Sequence, residues 1–151
     1  MIQLIRTNSN NPDFIDLVAL LDAYLAVKDG EDHAFYAQYN KIDSINQVVV
    51  VYHNNEAVAC GAIKKMDADR MEIKRMFTKN KQRGKGLASQ ILRELETWTK
   101  ELRYKKCVLE TGKRQVEAIQ LYLKNNYQII PNYGQYIGVK DSVCFEKSIH
   151  T

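Results

Sequence analysis

The sequence is short of the residues that punctuate or staple a chain: two prolines, seven glycines and three cysteines among 151 residues. Pro12 and Pro131 stand near opposite ends, and nothing between them has the composition of a linker. One compact domain over residues 1–151 is therefore expected. Cys60, Cys107 and Cys144 are odd in number and far apart, which suits neither a disulfide framework nor a zinc site. Free, buried thiols in a reducing compartment follow, and with them a cytoplasmic location. The three histidines, His33, His53 and His150, show no metal-ligand spacing, so no metal is expected. No apolar run exceeds the length of Val48–Tyr52, whereas a membrane span needs about 20 residues. Met1–Asn11 holds no signal-peptide core, and no membrane partner is expected. Excess charge is lacking as well: 22 basic and 18 acidic residues leave a net +4, and 45% of the chain is hydrophobic. That balance excludes disorder and suffices for a core.

What is present is periodicity. Gln3–Thr7 reads as an opening strand. Asn11-Pro12-Asp13 has the form of a helix start, with Asn11 as cap and Pro12 in the first turn. Phe14, Leu17, Val18, Leu21, Tyr24 and Leu25 recur at helical spacing as far as Lys28-Asp29-Gly30. A short second helix is predicted over His33–Tyr39. Gln47–His53, Glu56–Lys65 and Arg70–Thr78 form an antiparallel meander with turns at Asn54-Asn55 and Asp67–Asp69. Gly61, inside the middle strand, predicts a bulge or a close backbone approach. From Gly86 the period changes to 3.6, and Leu87, Ala88, Ile91, Leu92, Leu95, Trp98 and Leu102 share one face of a long helix. Strand Lys106–Glu110, helix Gln115–Asn125, and strands Tyr127–Ile130 and Cys144–Ser148 complete an α+β (mixed α/β) domain.

The charge is unevenly spread. Between Lys64 and Lys85 there are nine basic residues against Asp67, Asp69 and Glu72. The stretch ends in Arg83-Gly84-Lys85-Gly86, between a predicted strand and a predicted helix. The first turn of a helix presents unpaired N–H groups and a partial positive charge. Glycines let an anion reach that backbone, so the segment is built to cradle a phosphate or pyrophosphate. It lacks the Gly-Lys-Ser/Thr ending of a Walker loop. A basic run is more often a solvated face than a nucleic-acid surface, and no nucleic-acid motif accompanies this one. Nucleic acid is not expected as a partner.

The segment Arg83-Gly84-Lys85-Gly86-Leu87-Ala88 resembles the Arg/Gln-x-x-Gly-x-Gly/Ala signature of the GNAT superfamily of N-acetyltransferases. Glu72–Thr78 is similar to that family's fourth strand, and Glu110-Thr111-Gly112 to the next. Ala118-Ile119-Gln120-Leu121-Tyr122 resembles its Ala-x-x-Leu-Tyr helix, and Asn126-Tyr127 the Gly-Phe/Tyr that follows. The resemblance is strongest over Glu72–Tyr127. It implies a GNAT-like domain with a twisted, mostly antiparallel sheet of about six or seven strands flanked by about four helices. The pyrophosphate loop would lie between the fourth strand and the following helix.

The resemblance also implies acetyl-CoA as cosubstrate, with site residues to match. Gly84, Lys85, Gly86, Leu87, Ala88 and Ser89 would bind its pyrophosphate, mostly through main-chain N–H groups, with side-chain help from Arg83 and Lys85. Met76, Phe77 and Thr78 would pair with the pantetheine arm, and Gln115 stands where relatives often place an Asn that contacts the cofactor. Tyr122 is the candidate general acid for the leaving thiolate, and Glu72 the candidate base for an ammonium acceptor. Tyr36, Tyr133 and Tyr136 fall where relatives build the acceptor cleft, with Glu31, Asp32 and Asp141 as groups that attract an amine. Cys60 has no neighbouring His or acid to activate it, so direct attack in a ternary complex is expected. The acceptor is expected to be a small amine or amino acid. A polyamine, a protein lysine and a peptide N-terminus stay open. An acetyl-CoA-sensing module is the alternative, and it would need the loop but neither Glu72 nor Tyr122. Homodimers are common among relatives, although one sequence shows no interface.

Overall fold

Local chemistry sets the first elements. After β1 (Ile2–Thr7), Asn11 caps α1 (Pro12–Asp29): its side chain accepts from the Phe14 amide at 3.0 Å while Pro12 fills the first turn. Gly30, at φ 57°, ends the helix. β2 (Gln47–His53) turns into β3 (Glu56–Lys65) through Asn54 and Asn55, both left-handed at φ 50° and 69°. That is the backbone a two-residue hairpin requires. Before β4 (Arg70–Thr78), the Asp67 carboxylate accepts from the Asp69 and Arg70 amides. A single 3-10 turn (Asn80–Gln82) leads to α2 (Leu87–Glu101), β5 (Lys106–Gly112), α3 (Val116–Lys124) and β6 (Gln128–Ile130). A second 3-10 turn (Gly134–Tyr136) precedes β7 (Ser142–Ser148). This computed structural model describes residues 1–30 and 45–149. The helix predicted over His33–Tyr39, with Tyr36, Glu31 and Asp32, lies outside them.

The strands form one seven-stranded sheet in the order β1-β2-β3-β4-β5-β7-β6, antiparallel throughout except between β4 and β5. Three helices stand among the described residues, against about four expected. None of them is long and apolar enough to cross a bilayer. The Val48–Val51 run is buried on both faces, which is why it does not alternate with polar residues. On one face Val48, Val50, Cys60 and Ala62 pack against Phe14, Leu17 and Val18 of α1. On the other, Val49, Val51, Ala59 and Ile63 pack against Leu87, Ile91, Leu92 and Leu95 of α2. Leu102 departs from its predicted place on that face and is 38% exposed, because α2 ends at Glu101. Thr99 is buried instead, its hydroxyl satisfied by the Leu95 carbonyl at 2.8 Å.

Two irregularities open the sheet. Ala62 pairs with Lys74 but Cys60 pairs with Phe77, so β4 carries an extra residue opposite Gly61. Arg75, at φ 59°, supplies the left-handed turn of this bulge. A Cβ on Gly61 would stand 2.5 Å from Met76 Sδ and 2.7 Å from Ile91 Cγ2. Gly61 therefore marks both a bulge and a close approach. The second irregularity lies between the parallel strands. β4 and β5 pair only from Arg70↔Lys106 to Glu72↔Val108, and beyond that both continue without partnering each other. Parallel strands that part at their carboxyl ends leave a crevice, the place where open α/β sheets hold ligands.

Candidate active site

Two cavities occupy that crevice. The larger, of about 360 Å³, is lined by Met76, Phe77 and Thr78 of β4 and by the turn into α2. Every residue from Arg83 to Ser89 except Lys85 lines it, as does Gln115. Gly84 and Gly86 are left-handed at φ 80° and 77°, and a Cβ on either would meet nothing within 4 Å. They are required by the backbone path and leave open space beside it, the form of an anion cradle. Gly86 is the N-cap of α2, so the amides of its first turn are available to a ligand. The side chains of the loop are engaged within the protein. Arg83 Nε donates to the Thr78 carbonyl at 3.0 Å, and its guanidinium lies 5.1 Å from the Tyr24 ring and 5.9 Å from that of Phe77. Lys85 Nζ reaches Gln82 Oε1 at 3.0 Å. Leu21 and Tyr24 of α1 and Leu121 and Lys124 of α3 complete the wall. The sequence placed Leu21 and Tyr24 on a helix face and Leu121 in a motif but gave none of the four a part in the site, because nothing local marks which residues of a helix meet a ligand.

The smaller cavity, of about 120 Å³, is lined by Glu72, Lys74, Arg75, Glu110, Tyr136 and Leu25, among others. It shares Leu21, Met76, Gln115, Ala118 and Tyr122 with the larger one. Tyr122 therefore stands where the two meet. Its ring is wedged edge-on against Tyr127 at 5.9 Å and tilted against Phe145 at 5.7 Å. Burial, and then the Glu110 charge, raises its phenol above the ordinary value of 10.0. The hydroxyl is thereby kept protonated, as a hydrogen-bond donor.

Glu72 is 8% exposed. The Tyr133 hydroxyl donates to its Oε2 at 2.7 Å, and Lys74 Nζ lies 3.6 Å from Oε1. Tyr133 itself is braced edge-on by Tyr136, with ring centroids 5.9 Å apart. Burial first, then the Glu72 charge, raises the Tyr133 phenol and keeps it a donor. Of the aromatic residues predicted for the acceptor cleft, Tyr136 lines it, Tyr133 is spent on Glu72, and Tyr36 is outside the described residues. Glu110 is held by the Ser142 hydroxyl at 2.7 Å.

Arg75 was not foreseen. Strict alternation from Met71 and Ile73 would aim residue 75 at the α2 core, where those two side chains pack. The bulge turns it to the α1 side, where its Nη2 donates to Asp22 Oδ1 at 2.8 Å. A bulge beside Gly61 was legible, but not which neighbouring side chain it would redirect.

Comparison with known proteins shows the family and the fold. Residues 14–127 match the family model described as the acetyltransferase (GNAT) family. A protein from Klebsiella pneumoniae, provisionally described as an acyl-CoA N-acyltransferase, is 28% identical and superposes with a TM-score of 0.83 over 99% of both chains. A GNAT family acetyltransferase from Elizabethkingia anophelis, solved with acetyl-CoA bound, shares the fold at 19% identity, a TM-score of 0.68 and 97% coverage of both chains. The uncharacterized N-acetyltransferase YsnE of Bacillus subtilis is 29% identical over 100 residues, which span 65% of this chain and 66% of that protein, just under two thirds.

Proposed function

The chain belongs to the GNAT acetyltransferase family, and from that premise we propose that it transfers the acetyl group of acetyl-CoA to the primary amine of a small molecule or amino acid. Attack is direct, in a ternary complex. The observation that carries this reading is the meeting of two cavities at Tyr122 and Met76. One is walled by a glycine-bearing helix start suited to a pyrophosphate, the other by Glu72 and Glu110, suited to an ammonium group.

Acetyl-CoA supplies an activated thioester when bound; the remaining work belongs to the chain. The main chain of Gly84 and of Gly86–Ser89 holds the pyrophosphate at the N-terminus of α2. Met76, Phe77 and Thr78 line the path of the pantetheine arm toward the bulge. A bulge leaves backbone groups outside the ladder, and a free N–H there is the donor that a thioester carbonyl needs. Glu72, oriented by Tyr133, takes a proton from the acceptor ammonium and exposes the lone pair that attacks. Tyr122, kept protonated by its burial, donates a hydrogen bond to the departing sulfur, and the proton that the attacking nitrogen sheds as the amide forms balances the thiolate, which leaves as the thiol. Holding both reactants at one junction contributes the proximity advantage that makes a covalent enzyme intermediate unnecessary.

Calorimetric titration with acetyl-CoA, alongside the Gly86→Phe variant, tests the first half of the proposal. Binding by the intact protein is expected to vanish in the variant. A side chain at φ 77° is strained even though nothing within 4 Å opposes its Cβ, so a lowered Tm is expected and binding is compared at a temperature where circular dichroism shows both chains folded. Thiol release with a panel of amines tests the second half. Binding without release of thiol on any amine would instead favour the sensing module, and absence of binding would end the acetyltransferase reading.

A further inference from the structure

Arg75 is an uncommon side chain for the interior. Its side chain is 1% exposed, and it pairs with Asp22, whose own side chain is 52% exposed. Nη2 makes that bond, while Nε and Nη1 are buried without a hydrogen-bond partner among the described residues. A guanidinium carries five N–H donors and cannot shed its charge. Leaving buried donors of a charged group unmet costs more than leaving neutral ones. Such an arrangement is stabilised by an acceptor that the described residues do not supply.

Arg75 lines the smaller cavity together with Glu72 and Glu110. That cavity thus presents a buried cation and two carboxylates within one small volume. We propose that Arg75 is a carboxylate-binding subsite of the acceptor site, and that the acceptor is an amino acid or another small amine carrying a carboxylate close to its amine. This deepens the acetyl-transfer reading and rests on it. The acceptor ammonium lies at Glu72, and its carboxylate accepts from the unmet Arg75 donors in the charge-assisted geometry that a guanidinium favours. Lys74, already near Glu72 at 3.6 Å, adds positive charge on the same strand. A polyamine would bring a second cation against Arg75 and Lys74 and is disfavoured by like-charge repulsion. A lysine within a protein offers no carboxylate near its amine and leaves Arg75 unmet.

The test compares kcat/KM at saturating acetyl-CoA for amino acids, their amides and the corresponding decarboxylated amines, in the wild-type protein and in the Arg75→Gln and Arg75→Lys variants. The wild type should prefer the carboxylated member of each set by about 10- to 100-fold. Arg75→Gln should erase that preference, chiefly through KM of the carboxylated acceptors, and Arg75→Lys should restore part of it. Equal use of carboxylated and carboxylate-free acceptors by the wild type overturns the subsite while acetyl transfer stands, and this arm needs no variant to fold. A uniform loss in Arg75→Gln with the preference intact also overturns it, reducing Arg75 to a packing group that binds buried water. If acetyl-CoA binds but no amine of either class is acetylated, the acetyl-transfer reading fails and takes the subsite with it.

Discussion

At the scale of single residues, the site rests on three hydroxyl and carboxyl groups held away from water. Tyr122 has its phenol raised above 10.0 by burial and then by Glu110, so the hydroxyl that the proposed mechanism uses as a donor stays protonated throughout the neutral range. Tyr122→Phe should lower kcat about 100-fold while the acetyl-CoA dissociation constant from calorimetry stays nearly constant. The wild-type pH–rate profile should show no alkaline fall from this group below pH 10.0. A fall at lower pH that disappears in Tyr122→Phe would contradict the assignment. Glu72 depends on Tyr133, whose hydroxyl is 2.7 Å from its carboxylate. Tyr133→Phe removes a donor from a buried acceptor, and the reaction should slow about tenfold. In a Glu72→Gln background the same change should cost almost nothing further, because both substitutions act through one unit. Additive losses in that cycle would leave Tyr133 with a packing role alone.

The element that decides the site is β4. Its amino-terminal half pairs on both sides, with β3 and with β5, while its carboxyl half has lost β5 and carries the bulge. The same nine-residue strand therefore supplies sheet structure at Met71 and site groups at Glu72, Arg75 and Met76. Gly61 on β3 makes this possible, since a Cβ there would run into Met76 Sδ and Ile91 Cγ2. Gly61→Ala should cost about 1–3 kcal/mol by overpacking, read as a lower urea midpoint with an unchanged slope. Because Met76 lines both cavities, the same variant should also lose activity; full activity with full stability would mean that the core yields more readily than these distances allow. The end of α3 shows another element-level device. Asn126, at φ 71°, takes the left-handed position that favours Gly, and the Tyr127 amide returns to the Tyr122 carbonyl at 3.0 Å. That closure places the Tyr127 ring against Tyr122.

Across the whole molecule, buried acids set the alkaline limit of stability. Burial pushes the Cys60 thiol from 9.0 up to about 12, and those of Cys107 and Cys144 to about 11. Tyr122, Tyr127, Tyr133 and Tyr136 are raised above 10.0, again with burial as the first cause. In each case the unfolded chain releases its proton at lower pH than the folded one does. The stabilisation is therefore complete below pH 9.0 and is lost as pH climbs through the folded-state values, toward 11 and 12. Thermal melts should show Tm level up to about pH 9 and then falling. Thiol reagents should label the three cysteines slowly until the chain unfolds, since a buried, protonated thiol is a poor nucleophile. A Tm that holds level well past pH 10 would show these groups to be hydrated in the native state.

By itself the sequence determined whatever depends on near neighbours along the chain. The Asn11 cap, the Asn54-Asn55 hairpin, the meander of β2 to β4 and the glycine turn into α2 are all short-range matters of backbone preference and periodicity, and all stand where the residues put them. The tertiary structure alone decided what meets across the fold. Tyr133 reaches Glu72 over a separation of 61 residues, and the family resemblance implied only a general place in the acceptor cleft. Arg75 reaches α1 because one extra residue in β4 reverses the alternation by which its side would have been read. The separation of β4 from β5 is likewise a property of pairing, not of either strand, since both remain extended after they part. Contacts of this kind are set by packing and register between distant segments, and no local preference of the residues involved encodes them.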